Sequence, residues 1–227
     1  MFEGKVIAVT GASGALGKAL MQELARQGAT LIALTSSNRG DYANAQDVVK
    51  WQTGQEETLG DRFKSIDILV LNHGVNVYGD RTPAAIQKSL EVNALSQWKL
   101  AELFFSTVAH SPNPKAKELW VNTSEAEVSP ALSPLYEISK RLIGTIITLR
   151  TLDAPCTVRK LILGPFKSEL NPYGVMTPRF VAGAIAFLAS KDIRTIIVTV
   201  NPCTYLLVPI KELSQKLYYR MFSKADG

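Results

Sequence analysis

A tyrosine and a lysine stand four residues apart in the stretch "SPLYEISKRLIG" of this 227-residue chain. If the stretch is a helix, Tyr136 and Lys140 share one face, because residues four apart on a helix are neighbours. A free phenol has a pKa of about 10, and an ammonium ~4 Å away at an effective dielectric of ~20 contributes ~4 kcal/mol, about three pKa units. The pair therefore predicts a tyrosine that transfers protons near neutral pH. The alternative is an exposed lysine beside a half-buried tyrosine.

Three glycines follow the first apolar run, in "VTGASGALGKAL". Gly11 permits a tight turn, Gly14 lets the backbone approach a pyrophosphate, and Gly17 allows the next helix to pack closely. The amino terminus of that helix supplies N–H groups that bind phosphate. The strand, turn and helix together predict a dinucleotide-binding site. The alternative is a glycine-rich turn that binds no ligand.

The residues after the second apolar run favour one form of that dinucleotide. A carboxylate at this position would accept hydrogen bonds from the ribose 2′-hydroxyl of NAD. The chain instead has Thr35 and Ser36, with Arg39 shortly after them, and these groups suit a 2′-phosphate. We therefore predict that NADP(H) is the preferred cofactor. NAD(H) stays an alternative because Asp41 could fold back, and Arg39 could equally be a solvated loop charge.

Apolar runs alternate with helical patterns along the chain. Near-continuous apolar strands that are interleaved with helices are typical of a parallel sheet covered on both faces. The predicted strands are KVIAVT, TLIALT, DVVKWQT, IDILVLN, LWVNTS, TVRKLIL and TIIVTV, and helices are predicted after the glycine turn and near 83–109, 135–152 and 178–190. The sequence thus predicts an α/β fold, with a doubly wound parallel sheet of about seven strands in one dinucleotide-binding and catalytic domain, 1–201, followed by a tail, 202–227.

Composition argues against several classes of function. The net charge of +5 is modest and about half of it lies near the C-terminus, so we expect no nucleic-acid partner. Two cysteines and two histidines form neither a disulfide framework nor a metal-binding pattern. The sequence contains no recognisable signal peptide and no apolar run of membrane-spanning length. These features predict a cytoplasmic protein that is soluble or peripherally attached to a membrane.

Six short stretches, taken in order, resemble the short-chain dehydrogenase/reductase family over roughly residues 4 to 200. They are TGASGALG, LNHGV, EVNALS, VNTSEAE, YEISK and LGPFKSEL. The resemblance implies a Rossmann-type sheet of seven strands, a nicotinamide cofactor and an Asn–Ser–Tyr–Lys tetrad. It also implies a homodimer or homotetramer that forms through the helices near 93–109 and 136–152.

The same resemblance implies roles for individual residues. Tyr136 would be the catalytic acid/base, and Lys140 would assist it and hold the nicotinamide ribose. Ser124 would bind the substrate oxygen, and Asn93 would hold a water on the proton path to Lys140. The cofactor-binding residues implied or inferred are Gly11, Ser13, Gly14, Ala15, Leu16, Gly17, Thr35, Ser36, Arg39, Asn72, His73, Gly74, Tyr136, Lys140, Gly164 and Ser168.

The chain also departs from the family pattern. Ala15 replaces a glycine of the main branch, and the resulting spacing is more like that of extended or atypical members. A turn-filling role for His73 competes with a catalytic one. Glu125 could take the serine position instead of Ser124, although a second acid beside the phenol would raise its pKa. The short segment at 169–178 predicts an open, shallow substrate site for a bulky or chain-like apolar substrate.

The tail differs in character from the rest of the chain. The part after Pro209 is predicted to be a basic amphipathic helix, since Leu213, Leu217 and Met221 recur at helical spacing. Such a helix could pack on the domain or on a second subunit. The alternative is a peripheral membrane contact through residues 209–227.

The motifs together favour an NADP(H)-dependent oxidoreductase that interconverts a carbonyl and an alcohol. The predicted partner is a small-molecule carbonyl or alcohol. A non-catalytic cofactor sensor or scaffold is the alternative, but such a protein has no reason to keep the tetrad together. An epimerase or dehydratase is a third class that the same fold supports.

Overall fold

The apolar runs form seven parallel strands in the computed structural model, which describes residues 2–38 and 42–224. The strands are Val6–Thr10 (β1), Thr30–Thr35 (β2), Asp47–Lys50 (β3), Ile68–Leu71 (β4), Glu118–Asn122 (β5), Thr157–Leu163 (β6) and Thr195–Val198 (β7). Each one overlaps the run that predicted it. The seven predicted strands are therefore confirmed.

Seven α-helices connect and follow the strands within the described ranges. They are Ala15–Arg26 (α1), Gly60–Phe63 (α2), Pro83–Leu90 (α3), Ser96–Ala109 (α4), Pro134–Arg150 (α5), Pro178–Ser190 (α6) and Pro202–Phe222 (α7). Local sequence explains where several of them begin. Thr82, Thr177 and Asn201 each accept a hydrogen bond from the backbone of the first turn, and each is followed by proline.

The helix predicted for residues 83–109 is interrupted in the structure. A π-helical turn, Glu91–Leu95, joins α3 to α4. Asn93 in this turn accepts a hydrogen bond from Val75 N–H (2.7 Å) and donates one to Val75 O (2.9 Å). The turn is thereby bound to the loop after β4. Irregular turns of this kind are frequent at functional sites.

The strand order, β3-β2-β1-β4-β5-β6-β7, confirms a doubly wound sheet of the Rossmann type. The order reverses between β1 and β4, where Ile7 pairs with Ile68. In open parallel sheets a ligand binds outside the carboxyl ends of the strands at this reversal. The fold therefore places a site beside the turns that follow β1 and β4.

Helices cover both faces of the sheet, as the sequence predicts. On one face α1 packs against α6, with Leu20 and Ile185 fully buried in the first apolar core. On the other face α4 and α5 contribute Phe104 and Ile143 to the second core. Close packing in the two cores fixes the strands, and it thereby fixes the positions of their carboxyl ends.

The tail forms a longer helix than the sequence predicts. α7 begins at Pro202 instead of after Pro209, and it runs through Pro209 in its interior. It packs mainly against α5. Across the described residues, no helix combines the length and apolar character needed to cross a membrane.

Candidate active site

The carboxyl ends of β1 to β6 surround a cleft of about 1050 Å³. Fifteen of the residues predicted from the sequence line it: Gly11, Ser13, Gly14, Ala15, Leu16, Thr35, Ser36, Asn72, His73, Gly74, Ser124, Tyr136, Lys140, Gly164 and Ser168. Gly17 and Asn93 do not line the cleft, and Arg39 lies outside the described residues. No group of three potential metal ligands occurs in the described ranges.

The glycine turn forms one end of the cleft. Gly11 has a φ of +61°, and a Cβ there would lie 2.9 Å from the backbone of His73. A Cβ on Gly17 would lie 2.2 Å from the Gly11 carbonyl oxygen, so this glycine lets α1 approach the turn from behind. Gly14 precedes the first turn of α1 and faces the cleft. A backbone cradle at a helix amino terminus fits the pyrophosphate of a dinucleotide.

Hydroxyl groups gather at the end of β2, where the second ribose of a dinucleotide would lie. Thr35 Oγ1 lies 3.4 Å from Ser13 Oγ and 3.1 Å from the hydroxyl of Tyr42. Lys50, the last residue of β3, donates a hydrogen bond to the carbonyl of Ser37 beside this cluster. Sequence reasoning missed Lys50, although β3 was predicted, because the pairing of β3 with β2 was not.

Trp51, Gln52 and Thr53 also line the cleft and were not predicted as site residues. They follow β3 directly, and β3 is the edge strand next to β2. The rings of Trp51 and His73 form a T-shaped pair, with centroids 5.2 Å apart. The sequence could have indicated these residues as part of the site, because they lie at the end of a predicted strand.

Tyr136, Lys140 and Ser124 come together in the middle of the cleft. Successive turns of α5 place Tyr136 and Lys140 on one face, with Lys140 Nζ 5.8 Å from the centre of the tyrosine ring. Lys140 Nζ donates a hydrogen bond to the Asn122 carbonyl at 2.9 Å. Ser124, two residues beyond β5's last residue, places its side chain close to the hydroxyl of Tyr136 and donates a hydrogen bond to Leu163 O at 3.4 Å. Three of the four predicted tetrad residues are therefore neighbours.

Glu125 is the alternative to Ser124, and its carboxylate has other partners. It accepts hydrogen bonds from the hydroxyls of Thr199 (2.5 Å) and Thr204 (3.1 Å). Both partners lie at the C-terminal side of β7. The hydroxyl of Ser124, and not the carboxylate of Glu125, is thus the group beside the phenol.

The protonation of the pair differs from the sequence expectation. Burial raises the pKa of Tyr136 above its ordinary value, and the hydrogen bond from Ser124 only partly opposes this. Burial also lowers the pKa of Lys140 to about 8. The expected phenol pKa near 7 is wrong for this site, because burial outweighs the ammonium, which is directed to a carbonyl. A protonated Tyr136 is suited to donating a proton.

Asn93 lies behind the cleft. Its two amide hydrogens are used by Val75 O (2.9 Å) and Ser139 Oγ (3.0 Å). Both side-chain hydrogens of Asn93 are therefore engaged, and the water that it would hold on the way to Lys140 stays a prediction. Through these bonds Asn93 joins the π-helical turn, the loop after β4 and α5 into one unit.

His73 is neutral at physiological pH. Its Nδ1 lies 2.9 Å from Thr10 Oγ1, and its buried Nε2 has no hydrogen-bond partner among the described residues. Burial, together with the nearby charge of Lys140, lowers the pKa of His73 to about 3. The hydrogen bond to Thr10 and the ring contact with Trp51 favour the turn-filling interpretation of His73.

The loop after β6 reaches across the cleft. The hydroxyl of Tyr78 donates a hydrogen bond to Glu169 O (3.2 Å), and Asn76 Nδ2 donates one to Leu170 O (3.3 Å). Ser168 Oγ accepts a hydrogen bond from Asn171 within this loop. The site is therefore a bridged cleft instead of the open, shallow one predicted. Exposed apolar side chains form its rim, namely Tyr78, Leu132, Leu170 and Tyr173.

Comparison with known proteins identifies the class. Residues 7–141 match the NAD dependent epimerase/dehydratase family. The chain is 51% identical to monoglucosyldiacylglycerol epimerase from Synechocystis sp., across 98% of this chain and 56% of that protein. It is 37% identical to the 3-oxoacyl-(acyl-carrier-protein) reductase FabG of Vibrio cholerae, across 84% of this chain and 91% of that protein. The chain belongs to the NAD dependent epimerase/dehydratase family, and the predicted membership of the short-chain dehydrogenase/reductases is confirmed.

Solved structures agree with this assignment at the level of the fold. A short-chain dehydrogenase from Sphingobium yanoikuyae in complex with NADPH superimposes with a TM-score of 0.77 at 14% identity, over 98% of each chain. The chain spans only about half the length, 56%, of the Synechocystis epimerase.

Proposed function

We propose that this chain epimerises a secondary alcohol on the sugar headgroup of a membrane glycolipid, by transient oxidation to a ketone. The proposal rests first on the 51% identity to a glycolipid epimerase, which extends over 98% of this chain. It keeps the carbonyl–alcohol chemistry that the sequence motifs predict, and it adds a return step. The net result is inversion at one carbon, with no cofactor consumed.

The side chains in the cleft supply the acid–base part of this reaction. Tyr136 takes the proton of the sugar hydroxyl during oxidation and returns it to the alkoxide during reduction. Ser124 would hydrogen-bond the same sugar oxygen, and the positive charge of Lys140 would offset part of the cost that burial adds to forming the phenolate of Tyr136. A bound nicotinamide would supply the hydride acceptor and donor of this cycle, with its pyrophosphate held at the turn of Gly11 and Gly14, and inversion would require the ketone to present its opposite face before the hydride returned. Protons and electron pairs balance over the cycle.

One observation carries the proposal for this chain. Ser124, Tyr136 and Lys140 meet in a single cleft that also contains the glycine turn and opens onto an apolar rim. A sugar hydroxyl at the Tyr136–Ser124 pair would leave the acyl chains of a glycolipid at that rim. The exposed side chains of Leu132 and Tyr173 suit contact with such chains.

A glycolipid assay tests the proposal directly. Monoglucosyldiacylglycerol in mixed micelles is incubated with the protein and NADP⁺, and the sugar is released and identified by chromatography. We expect a second hexose, and no deuterium at the inverted carbon when the reaction runs in D₂O, because the carbon-bound hydrogen returns as hydride. Tyr136→Phe should lower turnover about 10²–10⁴-fold with NADPH binding retained. Unchanged turnover in this variant would refute the assigned role of Tyr136.

A second candidate is net reduction of a carbonyl, and the 37% identity to the Vibrio reductase favours it. A reductase consumes one NADPH for each product molecule, whereas an epimerase leaves the NADPH concentration unchanged. A parallel assay with NADPH and a 3-oxoacyl thioester, followed by the absorbance of the reduced nicotinamide, separates the two. Cofactor binding without either reaction would leave the scaffold alternative.

We also propose that NADP(H) is preferred over NAD(H). The hydroxyls of Ser13, Thr35 and Tyr42 cluster where the adenosine ribose would lie, and Lys50 lies close by. Thr35 ends β2, the position at which a carboxylate would favour NAD. Parallel calorimetric titrations with NADPH and NADH test the preference, and equal affinities would contradict it.

A further inference from the structure

α7 turns its apolar residues away from the domain. Thr204, Val208 and Glu212, spaced four residues apart, are its buried positions. The opposite side carries an outer stripe at spacings of three and four residues, 51–70% exposed, which consists of Leu206, Ile210, Leu213, Leu217 and Met221. A surface helix of a globular protein normally buries its apolar side, so the polarity of α7 is inverted.

Buried ion pairs fix this orientation. Glu212 Oε1 lies 2.5 Å from Lys160 Nζ of β6, and both side chains are almost completely buried. One residue earlier, Lys211 pairs with the buried carboxylate of Glu127. Turning the outer stripe toward the domain would break both pairs and leave buried charges without partners, which is strongly unfavourable.

The surroundings of the outer stripe are basic and aromatic. Lys216, Arg220 and Lys224 are in the same helix or directly after it, and Tyr218 is exposed. The sole acidic residue between positions 202 and 224 is Glu212, which is buried on the opposite side. Apolar, aromatic and basic side chains without an acid are typical of helices that bind anionic membrane surfaces.

We propose that α7 lies in the membrane interface, with the outer stripe inserted among the lipids of an anionic bilayer surface. The stripe extends from Leu206 to Met221, about 22 Å at the helical rise of 1.5 Å per residue, so it would lie along the surface. A second copy of the chain fits the stripe less well. In a symmetric pair of α7 helices both copies would present the same basic groups, and residues 202–224 contain no acid except the buried Glu212 to neutralise them.

The same helix is bonded to the active-site segment. Thr204 donates a hydrogen bond to Glu125 at 3.1 Å, and Asn201 Nδ2 lies 3.5 Å from Ser129 Oγ. Both acceptor residues lie within five residues of Ser124. Membrane contact through α7 would therefore hold the cleft beside the surface that contains glycolipids.

Vesicle co-sedimentation tests the membrane contact without substrate or cofactor, so its outcome is independent of the proposed reaction. The protein is mixed with vesicles of phosphatidylglycerol and phosphatidylcholine, or of phosphatidylcholine alone. We expect binding to the anionic vesicles, about tenfold weaker binding to the neutral ones, and a further loss at high salt. Failure of the wild-type chain to bind anionic vesicles would overturn the proposal.

Matched variants locate the contact. Leu213→Ser with Leu217→Ser should weaken vesicle binding about tenfold or more, because two apolar side chains leave the lipid. Phe180→Ser with Phe187→Ser, at 61% and 60% exposure on α6, should bind as the wild type does. Equal binding by both double variants would refute the role of α7. A dimer that is detected by light scattering and that dissociates in the Leu213/Leu217 variant would also refute the proposal. The outer stripe would then be covered by a second copy of the chain instead of by lipid.

Discussion

Replacing Lys160 by methionine should destabilise the protein severely, because this lysine is the centre of a buried charge network. Its Nζ lies 2.5 Å from Glu212 Oε1 and 3.2 Å from Glu127 Oε2, and the three side chains are 7% exposed or less. It also donates hydrogen bonds to Gly144 O (2.9 Å) and Thr148 Oγ1 (3.0 Å). Burial would raise the pKa of Glu127, but the nearby ammonium groups hold it below its ordinary value.

The expected magnitude follows from what the substitution leaves behind. Glu127 keeps Lys211 as a partner, but among the described residues Glu212 would keep only the hydroxyl of Thr148. Removing one member of a buried ion pair costs about 3–5 kcal/mol, since the other charge stays buried. At ~2–4 °C per kcal/mol for a chain of this size, the melting temperature should fall by roughly 10 °C.

Differential scanning calorimetry measures the effect, and a double variant tests its cause. Lys160→Met with Glu212→Leu removes both charges together, so it should be more stable than Lys160→Met alone. Lys88→Met on the exposed surface of α3 is the matched control, and its melting temperature should stay near that of the wild type. A melting temperature for Lys160→Met within about 2 °C of the wild type would refute the reasoning.

Three further predictions concern cofactor binding and thiol reactivity. Gly17→Ala would place a Cβ 2.2 Å from a backbone oxygen of the preceding turn and should weaken NADPH binding roughly tenfold or more by calorimetry, whereas Gly183→Ala, which meets no atom within 4 Å, should not. Burial lowers the pKa of Lys140 to about 8, so the lysine loses its positive charge as the pH rises above that value. The affinity for NADPH, measured by calorimetry, should therefore fall between pH 7 and 9 in the wild type but not in Lys140→Met. Burial raises the pKa of the Cys156 thiol to about 12, while Cys203 is exposed. A thiol reagent should therefore modify one cysteine in the native protein and both after unfolding.

The strands and the glycine turn could be predicted because their signals are local. An apolar run such as TVRKLIL needs only its own residues to indicate a buried strand, and β6 has the same bounds, 157–163. The glycine turn after β1 could be predicted for a similar reason. A Cβ on Gly11 or on Gly17 would clash with nearby backbone, so both positions require glycine. Tyr136 and Lys140 share a face through their spacing alone. Local sequence was therefore sufficient to predict the fold class and most of the residues that line the cleft.

The parts that failed depend on contacts between distant segments. The sequence estimate for Tyr136 assumed an ammonium ~4 Å away and no burial. In the fold, Lys140 is directed to the carbonyl of Asn122, and burial raises the pKa of the phenol instead. The hydrogen-bond partners of Asn93 also could not be predicted, since Val75 and Ser139 lie 18 and 46 residues away. Spacing in the sequence contains no information on such partners.

The inverted polarity of α7 follows from the charges in β6. Arg159 and Lys160 are consecutive in a buried strand, so their side chains leave opposite faces of the sheet. On its face of the sheet Arg159 forms ion pairs with Glu118 and Asp192. Lys160 requires a carboxylate on the other face, and α7 supplies Glu212.

A helix that must present a buried carboxylate to the sheet cannot also present its leucines there. Glu212 lies between Ile210 and Leu213 in sequence, so burying the carboxylate turns both apolar neighbours toward the outside. The sequence alone predicted the amphipathic pattern of the tail but not which side would be buried. That choice depends on Lys160, 52 residues earlier in the chain, and it is what leaves the outer stripe of α7 exposed.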